Sequence, residues 1–223
     1  ISNLDLARSI AVYNERRSLL RNLEAIKRET PWLVQAHEAY SLVAVGGLVP
    51  VEEHNALLQA ALPLLRARAA RPQDRIRVVF EGGFCEQPPL DLIRAIGRSC
   101  YIVDDDLMIG MRWILGDVDA GSDPLLDLAS AYLDRSSYSP VQHDPRKPKE
   151  EMLLRRAEAS GARAVIVAAA KMCEPGLEEQ VAYVAALDGA RVPFFVTEFE
   201  ENMTTFEQLE IQLETFVENL LFD

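Results

Sequence analysis

The sequence predicts an α/β fold: a four-stranded parallel sheet with helices on both faces, preceded by a helical layer. Three observations lead there. Residues 1–72 carry helical periodicity and no strand signal. From Arg75 onward, short β-rich runs alternate with helical patterns, the mark of a parallel sheet covered by helices. Pro and Gly stand where those helices should begin and end. A length of 223 residues, 49% hydrophobic and 26% charged, suits a globular domain with a helical layer and excludes a disordered chain, collagen or a coiled-coil rod.

Taken in order, Asn3 can cap a first helix whose apolar positions Leu6, Ile10, Tyr13, Leu20 and Leu23 recur at helical spacing, ending before Pro31. A second helix is expected over 33–45, stopped by Gly46-Gly47, and a third over 51–69, carrying Leu57, Leu58, Ala61 and Leu65. Strands are read at 76–80, 101–105, 164–169 and 194–198. Between them, Pro88-Pro89 opens a helix that Gly97 closes, Asp123-Pro124 opens another, and Pro148 opens one that Gly161 closes. Pro175 starts a helix ending at Gly189, and the last helix has Thr204 with Glu207 as a capping box. Its stripe of Phe206, Leu209, Leu213, Phe216, Val217 and Leu220 is core. The result is a flavodoxin-like or Rossmann-like sheet, with a helical segment at 1–72 and an α/β lobe at 73–223. Residues 135–147, rich in Ser, Pro and charge, read as a long loop.

Net charge is -12, and from Glu198 to Asp223 there is no Lys or Arg. Such a surface repels phosphate backbones, so nucleic acid is not expected as a partner, and a solvated helix face accounts for the acidity. No apolar run approaches the ~20 residues of a membrane span, and the start lacks a secretory signal. The first residue is Ile rather than Met, which suggests a piece of a longer chain. Three widely spaced cysteines make no disulfide framework, so a reducing, cytoplasmic setting is expected.

In an open parallel sheet, the segments that follow the strands emerge on one edge, where ligands bind. That edge should collect residues 82–87, Asp104 to Asp106, residues 171–174 and residues 198–202. Cys100 precedes its strand and belongs to the opposite edge as packing. Cys85 and Cys173 share the ligand edge. Either can be a small buried hydrophobe, but Cys173 stands just before a helix N-terminus whose dipole favours the thiolate that binds soft metal or iron-sulfur clusters. His37, His54 and His143 fall outside this rim and read as surface histidines.

The Asp104-Asp105-Asp106 run has two readings. One is a strand end followed by a helix cap, with Asp106 as N-cap. The other is a cation-binding, phosphoryl-accepting pocket completed by Lys171, similar to that of response-regulator receivers and serving a signalling or binding module. There is no glycine-rich phosphate loop and no nucleophile elbow, and Gly82-Gly83 suit a tight turn or a close approach. Arg94, Arg98 and Arg112 read as solvated helix positions rather than a CoA-binding patch.

Three segments together resemble a known family: Phe84-Cys85-Glu86-Gln87-Pro88-Pro89-Leu90, Cys100-Tyr101-Ile102-Val103-Asp104-Asp105-Asp106, and Lys171-Met172-Cys173-Glu174-Pro175. They are similar to the cluster-bearing subunits of benzoyl-CoA reductase and the 2-hydroxyacyl-CoA dehydratases. Pro31-Trp32, Val51 to Asn55, Glu198 to Met203 and Glu214 to Val217 fit the same family, and the Phe-Cys-Glu-Gln-Pro-Pro form leans to the reductase branch. The resemblance implies a subunit of two α/β lobes holding a four-iron four-sulfur cluster through three cysteines. Cys173 matches the ligand of the C-terminal lobe, and the others lie in an N-terminal lobe this sequence lacks. It further implies a homologous second subunit, an ATP-hydrolysing activator that delivers low-potential single electrons, and an aromatic or 2-hydroxy acyl-CoA substrate. Candidates for the pocket around the cluster are Cys85, Glu86, Gln87, Asp104, Lys171 and Glu198. No individual catalytic role is assigned to them, and this chain alone is expected to be inactive and without its cluster.

Overall fold

The computed structural model describes residues 1–82, 86–137 and 146–222. Cys85 and His143 lie outside the described residues, as does most of the 135–147 stretch. The chain opens with α1 (Asn3–Glu29), held at its start by a reciprocal capping box. The Asp5 amide donates to Ser2 Oγ (3.2 Å) and the Ser2 amide to Asp5 Oδ2 (3.0 Å). Ser2, not Asn3, is therefore the cap, because only its side chain reaches back to the third helical amide. A 3-10 turn (Pro31–Leu33) leads to α2 (Ala36–Ala44), and a second 3-10 turn (Val45–Gly47) to α3 (Val51–Arg66).

These helices enclose a core of their own around Leu20, Leu23, Ile26, Val43, Leu58 and Leu62. His54 is inside this layer, fully buried, rather than on the surface as the sequence suggests. Its Nε2 lies 2.8 Å from the Leu42 carbonyl oxygen. Gly46 makes room for its ring: a Cβ there would come within 2.3 Å of two ring atoms. His37 is half-buried.

The sheet follows with β1 (Ile76–Glu81), α4 (Leu90–Ser99), β2 (Cys100–Asp105), a 3-10 turn (Ile109–Arg112) and α5 (Pro124–Asp134). It is completed by α6 (Lys149–Ser160), β3 (Ala164–Ala170), α7 (Glu174–Gly189), β4 (Phe194–Phe199) and α8 (Glu207–Phe222). The strands are parallel in the order β2-β1-β3-β4. One face packs Val78, Phe80, Ile102 and Ile166 against Leu92 and Ile96 of α4 and Leu209 and Leu213 of α8. The other packs Val79, Val165 and Val167 against Leu153 of α6 and Leu187 of α7. Helices thus cover both faces, and β3, buried at every position, is apolar throughout for that reason.

Two punctuation marks act differently from expectation. α4 runs through Gly97 to Ser99, so Cys100 begins β2 directly. The Thr204-Glu207 box does not form, since α8 starts at Glu207 and the Glu210 amide donates to the Phe206 carbonyl (2.8 Å). Cys100 is packed into the core at the edge away from the strand ends, and burial pushes its thiol up to about 12. Among the described residues no helix is long and apolar enough to cross a membrane.

Candidate functional site

The strand order fixes where a ligand crevice can open. The connection from β1 leads outward to β2, while β3 and β4 lie on the other side of β1, so the chain reverses direction between β1 and β3. Gly82, Glu86 and Gln87 after β1 and residues 171–173 after β3 flank that switch point. Gly82 sits there at φ +124, and a Cβ would lie 2.1 Å from the Ala168 carbonyl oxygen, so only glycine fits between the strands.

On the β2 side the three aspartates are engaged one by one. A bulge in β2 shifts the register so that Asp104 stands opposite Val79, whose face carries α6. From α6, Arg156 donates from Nε (2.9 Å) and Nη2 (2.6 Å) to Asp104 Oδ1 and from Nη1 to Glu81 Oε2 (2.6 Å). Arg28 at the end of α1 takes Asp104 Oδ2. Asp105 is bound by Lys27 and by Arg112 Nη2 (2.6 Å), and both cations share Glu24, each at 3.1 Å.

Burial alone would raise both carboxyls, but the charges of Arg156 and Lys27 hold Asp104, and those of Lys27 and Arg112 hold Asp105, below the ordinary aspartate range. The same pairing raises Lys27 and Arg112 against the desolvation that opposes it. Asp106 Oδ2 accepts from the Gly82 amide (3.0 Å), tying the β2 end to the switch-point turn. A cavity of about 520 Å³ lies over this network, lined by Arg17, Arg28, Asp104, Asp106, Met152 and Arg156 among others.

On the β3 side the chain turns at Met172, a left-handed residue (φ 64) whose side chain is exposed, and enters α7 with Cys173 as N-cap. Cys173 is half-buried against the core. Its Sγ rests over the first turn of α7, where a Cβ on Gly176 would come within 3.1 Å of it. Lys171 is exposed and paired with Glu200, a contact that raises the lysine together with the nearby charge of Glu198. Glu198 is exposed on the edge strand β4. Among the described residues, no three His, Cys, Asp or Glu side chains converge to hold a metal ion.

The sequence-derived candidates therefore divide. Gln87 joins the rim by accepting the Met108 amide at Oε1 (3.0 Å), which pins the segment after β1 to the one after β2. Glu86 is half-buried, and its enclosed Oε1 has no partner among the described residues. Asp104 and Lys171 are not joined: β1 separates their strands, about 10 Å at ordinary strand spacing, and each of the two charges has its own partner. The receiver-like pocket fails on that ground, because Asp104 and Asp105 are neutralised by arginine and lysine instead of facing a cation. Asp106 is not a helix cap either, since the segment after it turns into a short 3-10 helix at Ile109–Arg112. Arg112 is half-buried and tied into the network rather than solvated. Lys27, Arg28, Glu24, Glu81 and Arg156 escaped sequence reasoning. The available hint was that three successive aspartates at a buried strand end demand cations.

Comparisons with known proteins give this rim its context. A family model described as 2-hydroxyglutaryl-CoA dehydratase, D-component, matches residues 1–220. The chain is 35% identical over 217 residues to a benzoyl-CoA reductase subunit of Thauera aromatica, covering 96% of this chain and 56% of that protein. It is 29% identical over 222 residues to the beta subunit of lactoyl-CoA dehydratase of Anaerotignum propionicum, covering 99% of this chain and 59% of that one. The chain thus spans somewhat more than half the length of these relatives, which are subunits of an acyl-CoA reductase and an acyl-CoA dehydratase.

Proposed function

Because the chain belongs to the 2-hydroxyglutaryl-CoA dehydratase D-component family, we propose that it works as part of an iron-sulfur subunit of an ATP-driven acyl-CoA reductase of the benzoyl-CoA type. The observation that carries this reading is the 35% identity to the reductase subunit across 96% of the chain. In it, Cys173 is one ligand of a four-iron four-sulfur cluster whose remaining ligands come from outside this chain. A soft sulfur at a helix N-terminus suits one corner of such a cluster, and a lone thiol cannot hold the whole. When bound, the cluster supplies low-potential single electrons to an acyl thioester.

The chain's own residues do the rest by position. The α7 cap and Gly176 fix where Sγ points, and the core behind Cys173, including Ala170 and Phe199, keeps water from that side. Gln87 and Asp106 lock the neighbouring turns, and the Lys27-Asp105-Arg112 network stiffens the far wall. Glu86, half-buried beside the switch point, is in this reading a side chain that helps shape the substrate pocket. The partners in this reading are a homologous second subunit and an ATP-hydrolysing activator, in the cytoplasm. A second reading, a 2-hydroxyacyl-CoA dehydratase subunit, is favoured by the 29% identity to the lactoyl-CoA dehydratase beta subunit across 99% of the chain.

The test is turnover by the full gene product, purified anaerobically with its partner subunit and supplied with activator, ATP and reductant. Reduction of benzoyl-CoA supports the first reading, and dehydration of a 2-hydroxyacyl-CoA the second. An assembly that is folded, iron-loaded and inert to both contradicts them.

A further inference from the structure

A second cavity, of about 500 Å³, opens at the edge of the sheet where the strands begin, opposite the rim that holds Cys173. It lies between the 3-10 turn Pro31–Leu33 with the start of α2, the coil leading into β1, and the end of α4. In a chain of net charge -12, its charged walls are wholly basic. Lys27, Arg71, Arg75, Arg94 and Arg98 line it together with Trp32, and no carboxylate does so among the described residues.

These cations are not equivalent. Lys27 is engaged by Asp105 and Glu24, and Arg94 and Arg98 on α4 pair with Asp91 and Glu210. The Arg71 side chain is exposed and has neither an ion pair nor a hydrogen bond among the described residues. Arg75 has no carboxylate partner among them either, yet it is held in place. Its Nη1 donates to the Gly97 carbonyl (2.6 Å), and its guanidinium carbon stands 5.6 Å from the centre of the Tyr101 ring. Its Nε and Nη2 are neither enclosed nor hydrogen-bonded among the described residues, so they remain accessible donors, and the same holds for Trp32 Nε1. Tyr101 also fixes the segment between the two arginines, its hydroxyl accepting from the Gln73 amide (2.7 Å). Two uncompensated positive charges, on either side of a fixed segment, therefore line one cavity.

A phosphate monoester carries close to two negative charges near neutrality and offers three acceptor oxygens, which complements a pair of guanidinium groups. We infer that this cavity is a binding site for an organic phosphate monoester, its dianion held by Arg71 and Arg75 and its organic part against Trp32. The volume falls within the range of small-molecule sites. The inference stands on this cavity alone and does not require the acyl-CoA reading above. A nucleoside monophosphate and the 3′-phosphate of a CoA are two sources of the same group.

The test is calorimetric titration of the full gene product, with any subunit that co-purifies, at about pH 8, where the ester is doubly charged. Phenyl phosphate should bind roughly ten times more tightly than phenyl sulfate, its singly charged analogue, the worth of one more charge-assisted hydrogen bond. Arg71→Ala, at an exposed position, should erase that preference while keeping the wild-type circular dichroism and melting curve, and Arg75→Met should erase it as well. Arg155→Ala, which removes an exposed arginine of α6 that does not line the cavity, should leave it unchanged. Adenosine monophosphate against adenosine, and CoA against 3′-dephospho-CoA, then identify the source as the pair whose phosphate effect Arg71→Ala abolishes. Equal affinity for phosphate and sulfate esters, no binding of either, or a preference that survives Arg71→Ala overturns the inference.

Discussion

The two halves of the strand-end rim handle charge in opposite ways. Beside β2, Lys27 is 4% exposed and held by Asp105 and Glu24, within a network that Arg112, Arg28 and Arg156 complete. Beside β3, Lys171 is 54% exposed, and its partner Glu200 is equally open to water. In water the second pair gains little. In the first, each ion depends on its partners to offset the cost of leaving water. The lesson is that the Asp104 to Asp106 run, chemically the more conspicuous, is built as scaffold. The quieter turn with Cys173 keeps a donor at the switch point without a structural partner to satisfy among the described residues.

Removing one charge from each half puts this contrast at risk. Lys27→Met leaves Asp105 and Glu24 with Arg112 as their one shared cation and should cost about 3 kcal/mol, read as a large fall in melting temperature. Asp105→Asn should act alike and leave Lys27 and Arg112 facing Glu24 alone. The gap between wild type and Asp105→Asn depends on acid in a defined sense. A carboxyl held below its ordinary value of about 3.9 contributes fully above that pH, and the contribution disappears as pH falls through its folded-state value. The gap should therefore be constant near neutrality and narrow below about pH 4, which thermal melts across an acid series would show. A gap unchanged into strong acid would mean that Asp105 is not held as a low carboxylate. Cys173→Ala removes a half-buried thiol that has no hydrogen bond among the described residues and should cost less than about 1 kcal/mol in chemical denaturation. Smallest of all, Lys171→Ala should leave the melting temperature unchanged within error. A clear loss there would erase the distinction between the two halves.

Legibility in the sequence follows the range of the interactions. The β3 strand is plain because a strand covered on both faces has no polar position, and the α8 stripe is plain because it repeats within one helix. Caps are less so: Thr204 with Glu207 has the spacing of a box, yet Phe206 is drawn into the core and α8 starts two residues later than that box requires. The β2 bulge, which aims Asp104 at α6, depends on pairing with β1 and leaves no local trace.

The site behaves the same way. Cys173 before Pro175 is a local signature of a helix start, so its place at the N-cap can be read directly. The partners of the aspartates cannot, because Lys27 and Arg28 come from a helix more than seventy residues upstream and Arg156 from one about fifty downstream. His54 is hidden from sequence reasoning for a related reason: its burial depends on the Gly46 backbone and the Leu42 carbonyl across a helix turn, not on its own helix face.

The division of the rim is tested by measuring iron and sulfide per protein alongside the melting curve, in wild type, Cys173→Ala and Lys27→Met, each purified anaerobically as the full gene product with any subunit that co-purifies. A crossed result is expected. Cys173→Ala should lose the cluster and keep its melt, while Lys27→Met should lose stability and, in whatever fraction remains folded, keep the cluster. A folded Cys173→Ala assembly with wild-type iron and sulfide would contradict the assignment of Cys173 as a ligand and, with it, the separation of the rim into a scaffold and a working half.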